Sequence, residues 1–255
     1  MTFWTRFAAR VSPLALALLA LPLASLRAAD APRVHLAGDS TMADKPVDPP
    51  NPEHGWGQLF PRYFREPSMI VNHAQNGRST KSFIAEGRWQ TLVDALRPGD
   101  WAIIQFGHND QKVEDPVRYA GPDGGFRDNL RRFVREVRAK GAFPILAPAV
   151  ARRRWNAAGE IVDTHGAYLE AVRVVASDEG VPLLELNRLT TELERGHGVE
   201  GSKRLHLWIP AGAYERKPDG YQDDTHYSAY GADRVAALAV QEIIRLGLPL
   251  ADWLK

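Results

Sequence analysis

The chain alternates short, almost continuously apolar segments with longer segments in which apolar residues recur every three or four positions. Residues 101–106 (Trp-Ala-Ile-Ile-Gln-Phe) are of the first type, and residues 126–140, with Leu130, Phe133 and Val137 on one side, are of the second. Such patterns are typical of strands buried on both faces and of helices with one buried side. They predict strands at residues 33–37, 69–72, 101–106, 143–146 and 181–186, and helices at residues 56–64, 89–96, 126–140, 163–179 and 229–246.

Strands that lack a polar face and are separated by helices indicate a parallel sheet covered on both sides. We therefore expect an α/β fold, a three-layer α/β/α sandwich with a central parallel sheet of about five strands. Residues 30–255 contain no repeat and no internal boundary, so they are predicted to form a single domain. The absence of Cys excludes disulfides, thiolate metal sites and a cysteine nucleophile, and a net charge of +1 gives no signature of nucleic-acid binding.

The first 29 residues have the composition of a signal peptide. Arg6 and Arg10 precede an apolar run at residues 11–26, and small residues such as Ala28 follow it. A run of about 16 residues that contains prolines is short for a spanning helix, although a membrane anchor is the alternative. We therefore expect export to the periplasm or the medium, with no stable membrane anchor after cleavage.

Polar residues follow the predicted strands. Gly38-Asp39-Ser40 comes after the first strand, Gly77 after the second and Asn109 after the third, while Asp223 and His226 precede the last helix. Each alone has an ordinary explanation as a turn or a solvated loop. Ligands of such sheets bind beyond the carboxyl ends of the strands, however, so the whole set is predicted to meet at one place.

In this order and combination, the residues resemble the SGNH (GDSL-type) hydrolase superfamily. The resemblance spans residues 33–245 and implies a catalytic triad of Ser40, His226 and Asp223, with an oxyanion hole formed by Ser40, Gly77 and Asn109. The chemistry requires these types, because a serine hydroxyl needs a base during attack and the base needs an oriented partner. Neither a metal nor another cofactor is implied.

Three other aspartates bear on this assignment. Asp224 is even nearer to His226 along the chain than Asp223 is, and only the spacing of the superfamily motif selects Asp223. Asp39 and Asp110 flank the implied nucleophile and oxyanion donor, and we expect them to hydrogen-bond the backbone of their loops.

A finer resemblance is to rhamnogalacturonan acetylesterases, carried by the Gly-Asp-Ser-Thr opening at residues 38–41 and by residues 76–83 and 105–110. It implies an exported serine esterase that removes O-acetyl groups from pectic rhamnogalacturonan, with acetylated polysaccharide or oligosaccharide as its partner. An acetylxylan esterase, a lipase-like esterase and a thioesterase share this fold and mechanism and remain alternatives. A non-catalytic carbohydrate-binding protein is a further alternative, disfavoured because every catalytic residue type is intact.

Several residues near the motifs are candidates for substrate contact. Arg78 follows the oxyanion glycine, and Trp208, Tyr214 and Tyr221 precede the catalytic histidine. Aromatic rings there could stack on sugars, or could pack the segment against the domain. The basic residues at 152–154 could attract uronate carboxylates, or could be solvated surface. The six histidines that lie outside the motifs show no metal-ligand spacing.

Overall fold

The computed structural model describes Met1, residues 31–47 and residues 51–255, so the predicted signal peptide lies outside the described residues apart from Met1. The strands are β1 Val34–Gly38, β2 Glu53–His54, β3 Ile70–Asn72, β4 Trp101–Phe106, β5 Phe143–Pro148, β6 His206–Ile209 and β7 Tyr221–Ser228. The α-helices are α1 Trp56–Leu59, α2 Thr80–Ala85, α3 Arg88–Ala95, α4 Gly125–Ala139, α5 Ala167–Glu179, α6 Leu186–Gly201 and α7 Ala229–Arg245. None of the described helices is long and apolar enough to cross a membrane.

The predicted parallel sheet is confirmed, with the strand order β3-β1-β4-β5. All three pairings are parallel, and Ile103 of β4 lies opposite Leu36 of β1 and Ile145 of β5. From β1 the chain first moves outward to β3 and then returns to the other side of β1 to form β4. The connections therefore diverge between β1 and β4, which is where open α/β sheets leave a crevice for ligands.

Helices cover both faces of this sheet, which confirms the three layers. Along each central strand the side chains alternate between two separate apolar clusters, so that Ile103 belongs to one and Ile104 to the other. The first cluster is closed by α1 and α7, and the second by α3, α4 and α5. Burial on both faces explains why these strands are almost wholly apolar.

Some predicted elements are shorter than expected. The predicted fifth strand is reduced to a single parallel bridge between Leu183 and Leu146, beside Pro182, which has no N–H to donate. The central sheet consequently has four strands rather than about five. The predicted helix at residues 56–64 divides into α1 and a 3-10 turn, Phe60–Tyr63, which has a proline in its first turn. Ser228 caps α7, accepting a hydrogen bond from the N–H of Gly231 at 3.1 Å.

A second, antiparallel sheet of β2, β7 and β6 was not predicted. Its long strand, β7, reads Tyr-Gln-Asp-Asp-Thr-His-Tyr-Ser and lacks the alternation that identifies a half-buried strand. Helices α2 and α6 were also absent from the prediction. This second sheet is important for function because β7 carries both Asp223 and His226.

The close approach of α7 to the segment before β6 gives a test of the packing. A Cβ atom on Gly231 would lie 1.9 Å from the carbonyl oxygen of Leu205, whereas one on Gly196 in α6 would meet no atom within 4 Å. We expect Gly231→Ala to lower the free energy of unfolding by about 3 kcal/mol, because the backbone must shift. Gly196→Ala, a matched control, should raise it by up to about 1 kcal/mol. Urea denaturation measures both, and equal effects would contradict this account.

Candidate active site

A cavity of about 450 Å³ opens at the carboxyl ends of β1 and β4, where the connections diverge. Its lining residues are Ser40, Glu53, Asn76, Gly77, His108, Asn109, Lys112, Arg118, Arg152, Thr225 and His226. A larger cavity of about 720 Å³ lies at the opposite end of the strands, but the only ionisable side chain among its described lining residues is Arg138. The smaller cavity therefore holds the groups that can do acid–base and nucleophilic chemistry.

Three of the predicted site residues form one continuous hydrogen-bonded chain. Ser40 Oγ lies 2.8 Å from His226 Nε2, and His226 Nδ1 lies 2.7 Å from Asp223 Oδ2. Ser40 sits in the turn that follows β1, so it reaches the cavity from the central sheet, whereas the other two residues come from β7. This is the geometry in which an imidazole can take the proton of a serine hydroxyl while a carboxylate holds the ring.

A bulge in β7 gives His226 its position. Tyr227 pairs with His206 and Asp223 pairs with Leu207, so residues 224–226 have no partners on the neighbouring strand. Such a bulge re-aims side chains, and here it turns the imidazole toward Ser40. Asp223 and His226 therefore lie within a bulged strand, and not in a loop before the last helix.

The carboxylate of Asp223 is fixed and kept ionised. Its Oδ1 accepts the backbone N–H groups of Thr225 and His226 at 2.7 and 2.9 Å, and the hydroxyl of Tyr221 donates to Oδ2 at 3.1 Å. Burial raises the pKa of Asp223, but the hydrogen bonds and the charge of His226 outweigh it, so the pKa is lowered. Asp223 therefore stays negative and orients the ring.

The surroundings of His226 raise its pKa. Burial alone lowers the pKa of this imidazole, but the hydrogen bond and charge of Asp223, together with the charge of Glu53, outweigh burial. Only the neutral ring can accept a proton from Ser40, so the basic form is populated above the usual range for histidine. A raised pKa also makes the ring a stronger base for that transfer.

Asp224, the alternative partner of the histidine, is engaged elsewhere. Its Oδ1 accepts hydrogen bonds from Arg153 Nη1 at 2.9 Å and from Trp208 Nε1 at 2.8 Å. No hydrogen bond links its side chain to His226 among the described residues. The geometry therefore selects Asp223, as the spacing of the motif does.

The three predicted oxyanion donors line the same cavity. Among the described residues, the backbone N–H groups of Ser40 and Gly77 make no hydrogen bond, and Gly77 has a φ of +74°, a conformation that favours glycine. Asn109 Nδ2 donates one of its two hydrogens to the carbonyl of Arg78 at 3.1 Å, which leaves the other available. Free, preorientated N–H groups beside a serine nucleophile are what a developing oxyanion requires.

The turn that carries Ser40 is anchored by a buried polar chain. Asp39 Oδ1 accepts both the backbone N–H and the hydroxyl of Thr41, at 3.0 and 2.8 Å. Gln105 of β4 donates to the same hydroxyl at 2.9 Å and accepts from the indole N–H of Trp56 at 2.8 Å. Asp39 thus bonds loop backbone, as its sequence position predicts, and links the nucleophile turn to the sheet and to α1.

Asp110 anchors the loop that carries Asn109, as Asp39 anchors the turn that carries Ser40. Its Oδ1 accepts the backbone N–H of Thr80 at 2.9 Å and the hydroxyl of that residue, at the first turn of α2. Burial raises the pKa of Asp110 to about 7, opposed by the hydrogen bonds from Thr80. The carboxyl group thereby connects the Asn109 loop to the loop that carries Gly77.

Of the four residues predicted to contact substrate, two line a cavity next to Ser40's cavity and two do not line either of these cavities. Arg78 points away from the cavity and bonds Glu86, and the ring of Trp208 is contacted by Arg153 and Lys203. Neither lines the cavity, so the geometry does not support a substrate contact for them. Tyr214 and Tyr221 line an adjacent cavity of about 340 Å³, which shares Glu53 with the first.

Other groups that line the cavity were missed or only partly anticipated. Lys112 and Arg118 were not predicted, and Arg152 was predicted only as one of three basic residues that could attract uronate carboxylates or be solvated surface. Their positions soon after the third and fourth parallel strands, where the other site residues also occur, were a usable signal. Glu53, which lines the cavity, and Lys45, which pairs with it at 2.7 Å, were not predicted either. Within the described part of the chain, no group of three or more His, Cys, Asp or Glu side chains is arranged to hold a metal ion.

Comparison with known proteins finds relatives that match most of the chain. A model of the GDSL-like lipase/acylhydrolase family matches residues 36–234. The chain is 42% identical over 222 residues to rhamnogalacturonan acetylesterase RhgT of Bacillus subtilis, covering 87% of this chain and 94% of that protein. It is 41% identical over 251 residues to a rhamnogalacturonan acetylesterase of Emericella nidulans, covering 91% and 93%. The crystal structure of YxiM from Bacillus subtilis aligns with a TM-score of 0.72 at 26% identity, covering 86% of this chain and 57% of that one.

The two adjacent aspartates make a matched pair for testing the site. Asp223→Asn should lower kcat by roughly 10⁴-fold, because an amide no longer holds the imidazole in the basic tautomer. Asp224→Asn keeps an oxygen for Arg153 and Trp208, so kcat should fall by less than about tenfold. Steady-state hydrolysis of an aryl acetate measures both. A larger loss in the Asp224 variant would show that the wrong carboxylate has been assigned.

Proposed function

The chain belongs to the GDSL-like lipase/acylhydrolase family, and from this we propose that it is an exported serine esterase that removes O-acetyl groups from pectic rhamnogalacturonan. Its membership and its relatives make it a carboxylic ester hydrolase. The observation that carries the proposal is the hydrogen-bonded chain from Ser40 through His226 to Asp223, open to a cavity with unpaired N–H donors. A protein that only binds carbohydrate would not need this arrangement.

The proposed reaction proceeds through an acetyl-enzyme. Ser40 Oγ attacks the acetyl carbonyl carbon while His226 Nε2 takes the hydroxyl proton, and the carbonyl oxygen becomes an oxyanion. The donors of Ser40, Gly77 and Asn109 face that charge, and one such donor is worth about 3 kcal/mol of barrier. Collapse breaks the bond between the acetyl carbon and the sugar oxygen, and that oxygen takes the proton from His226 and leaves as a hydroxyl group. Water then attacks the acetyl-enzyme by the same route and releases acetate.

The lining of the cavity supports a short acyl group. Among its described lining residues there is no aliphatic side chain and no Phe, Tyr or Trp. A lipase-like enzyme has to shelter a long hydrocarbon chain from water, and such ligands are held in predominantly apolar pockets. A polar recess favours acetyl esters of a hydrophilic carrier, which supports the carbohydrate reading over the lipase-like alternative.

The charge of the cavity supports an acidic polymer over xylan. Lys112, Arg118 and Arg152 all line it, and of these only Arg118 forms an ion pair among the described residues, with Asp115. Arg152 instead donates to the Thr164 hydroxyl at 3.1 Å, and burial lowers its pKa. Desolvated cations without carboxylate partners favour a ligand that brings its own negative charge, as the galacturonate units of rhamnogalacturonan do.

Tyr214 and Tyr221 are proposed to contact the polymer beyond the reacting residue. Both line the second cavity together with Arg216 and Lys217, and Glu53 lies between the two cavities. A groove that continues in this direction would hold the next sugar of the chain. The hydroxyl of Tyr221 already bonds Asp223, so its ring is the part available to substrate.

The substrate assignment predicts a specific pattern of acetate release. The purified mature protein should release acetate from acetylated rhamnogalacturonan in preference to acetylxylan, and Ser40→Ala should abolish release from both. Release from xylan alone would preserve the mechanism but overturn the pectic substrate. If wild type and Ser40→Ala were equally inert on both polymers and on an aryl acetate, the esterase proposal would fail.

A charge variant serves as the control for the pectic part of this prediction. Lys112→Gln should raise KM for the acidic polymer by about tenfold, the scale of one lost charged contact, and leave aryl acetate hydrolysis nearly unchanged. The rise in KM should shrink at high salt, since screening weakens the same attraction in the wild type. An equal effect on both substrates would mean that Lys112 acts on the site's geometry and not on the polymer's charge.

The proposal that the protein is exported rests on the composition of residues 1–29. Expression of the full chain in a bacterial host should yield a mature protein that begins near residue 29, recovered from the periplasm or the medium. Intact-mass measurement of that protein locates the cleavage site. An uncleaved chain that remains with the membrane fraction would favour the anchor instead.

A further inference from the structure

Lys45 is a buried lysine beside the nucleophile. Only 2% of its side chain is exposed, and its ammonium group donates to three acceptors. These are the backbone carbonyl of Ser40 at 2.7 Å, Oδ1 of Asn76, and Oε1 of Glu53 at 2.7 Å. An ammonium has three N–H groups, so each of them is satisfied here. A charge this deeply buried is costly unless it is fully partnered, which makes the site specific for a lysine.

The three acceptors come from three separate segments of the chain. Ser40 belongs to the turn after β1, and Asn76 directly precedes Gly77, the proposed oxyanion donor. Glu53 lies in β2, which pairs with β7 at Glu53–Ser228 and His54–Tyr227, next to His226. A single ammonium therefore joins the segment of the nucleophile, the segment of an oxyanion donor and the strand that supports the base.

Lys45 is itself held in place by Gln58. The backbone N–H of Lys45 donates to Gln58 Oε1, and Gln58 Nε2 donates to the carbonyl of Lys45, both at 3.1 Å. This reciprocal pair fixes the backbone from which the side chain extends. The ammonium can thus hold its three partners without first losing its own conformational freedom at each turnover.

We propose that Lys45 is a positioning residue for the esterase reaction, holding Ser40, the Gly77 loop and Glu53 in one arrangement and neutralising the carboxylate of Glu53 at the cavity. This role rests on the proposed function. Without the lysine, Glu53 would present an unpaired negative charge to a site where an oxyanion must form. The loss should appear in kcat, since both the geometry and the field act on the transition state.

The same pair of charges acts on the base. Glu53 raises the pKa of His226 and Lys45 lowers it, while burial lowers it and Asp223 raises it. Asp39 and His108 also interact electrostatically with this imidazole, and the cations of Lys112, Arg118 and Arg152 line the same cavity. Removing the cation should therefore raise the pKa of His226, and removing Glu53 should lower it. Because the neutral ring is the active form, the acid limb of the rate profile follows these shifts.

The experiment compares Lys45→Met, Glu53→Gln and the double variant in hydrolysis of an aryl acetate across pH. Lys45→Met should lower kcat by about 10²-fold with little change in KM, the scale of one impaired oxyanion donor. It should also move the acid limb of kcat/KM to higher pH. Glu53→Gln should move that limb to lower pH. The double variant should recover the wild-type limb and the part of kcat lost to the unpaired charge of Glu53, but keep the part lost to geometry, which separates the two effects.

A purely structural role predicts something different. If Lys45→Met lowered only the thermal midpoint and left kcat and the acid limb unchanged, the proposal would be overturned. If Lys45→Met failed to fold, Glu53→Gln and Asn76→Ala would decide between the two roles. An acid limb that does not move in Glu53→Gln, together with a wild-type kcat in Asn76→Ala, would also overturn the proposal. A wild type inert on the aryl acetate, matching Ser40→Ala, would instead sink the proposed function itself and this role with it.

Discussion

The hydrogen bond between Ser40 and His226 joins residues 186 positions apart and depends on the docking of the second sheet against the first. Ser40 is held by the parallel sheet, whereas His226 belongs to β7, whose place is set by β2 on one side and β6 on the other. Directly after β7, the long helix α7 buries Val235, Ala236 and Ala239 in the core of the parallel sheet. Packing of α7 therefore anchors the end of β7, and the proposed nucleophile and its proposed base meet because the two sheets are held in a fixed relative position.

The parallel sheet and the helices that cover it were predictable because burial leaves a simple trace in the sequence. Strands buried on both faces must be apolar throughout, as residues 101–106 are, and amphipathic helices must repeat at their own period. The sequence of the second sheet has no such apolar pattern. Its strand β7 is polar because it carries Asp223 and His226, so the residues that make it functional are those that conceal it as a strand. The fifth strand failed for a local reason, since Pro182 cannot extend a ladder.

The site was predictable where residue type and strand end coincide. Ser40, Gly77 and Asn109 follow parallel strands, and the topology brings such positions together whatever the side chains are. Lys45 and Glu53 follow no such rule: one lies in a loop, the other on a two-residue strand, and only tertiary structure makes them partners. Trp208 shows the limit of residue type alone. An aromatic residue near a catalytic segment suggests sugar stacking, but the indole N–H of Trp208 donates to Asp224 and its ring is contacted by Arg153 and Lys203.

Some charged side chains around the cavity have partners within the protein, and others have no oppositely charged partner among the described residues. The carboxylates have partners within the protein: Asp223 accepts hydrogen bonds from His226 and Tyr221, and Glu53 forms an ion pair with Lys45. Lys112 and Arg152 have no such partner among the described residues. In the proposed reaction, their field attracts an anionic sugar in the ground state and the oxyanion in the transition state, and only the second of these raises kcat. Because the acetate released in that reaction is also an anion, the same field attracts the product. The proposed N–H donors act on the oxyanion and not on the charge of the sugar, so they are expected to contribute more to kcat than these cations do.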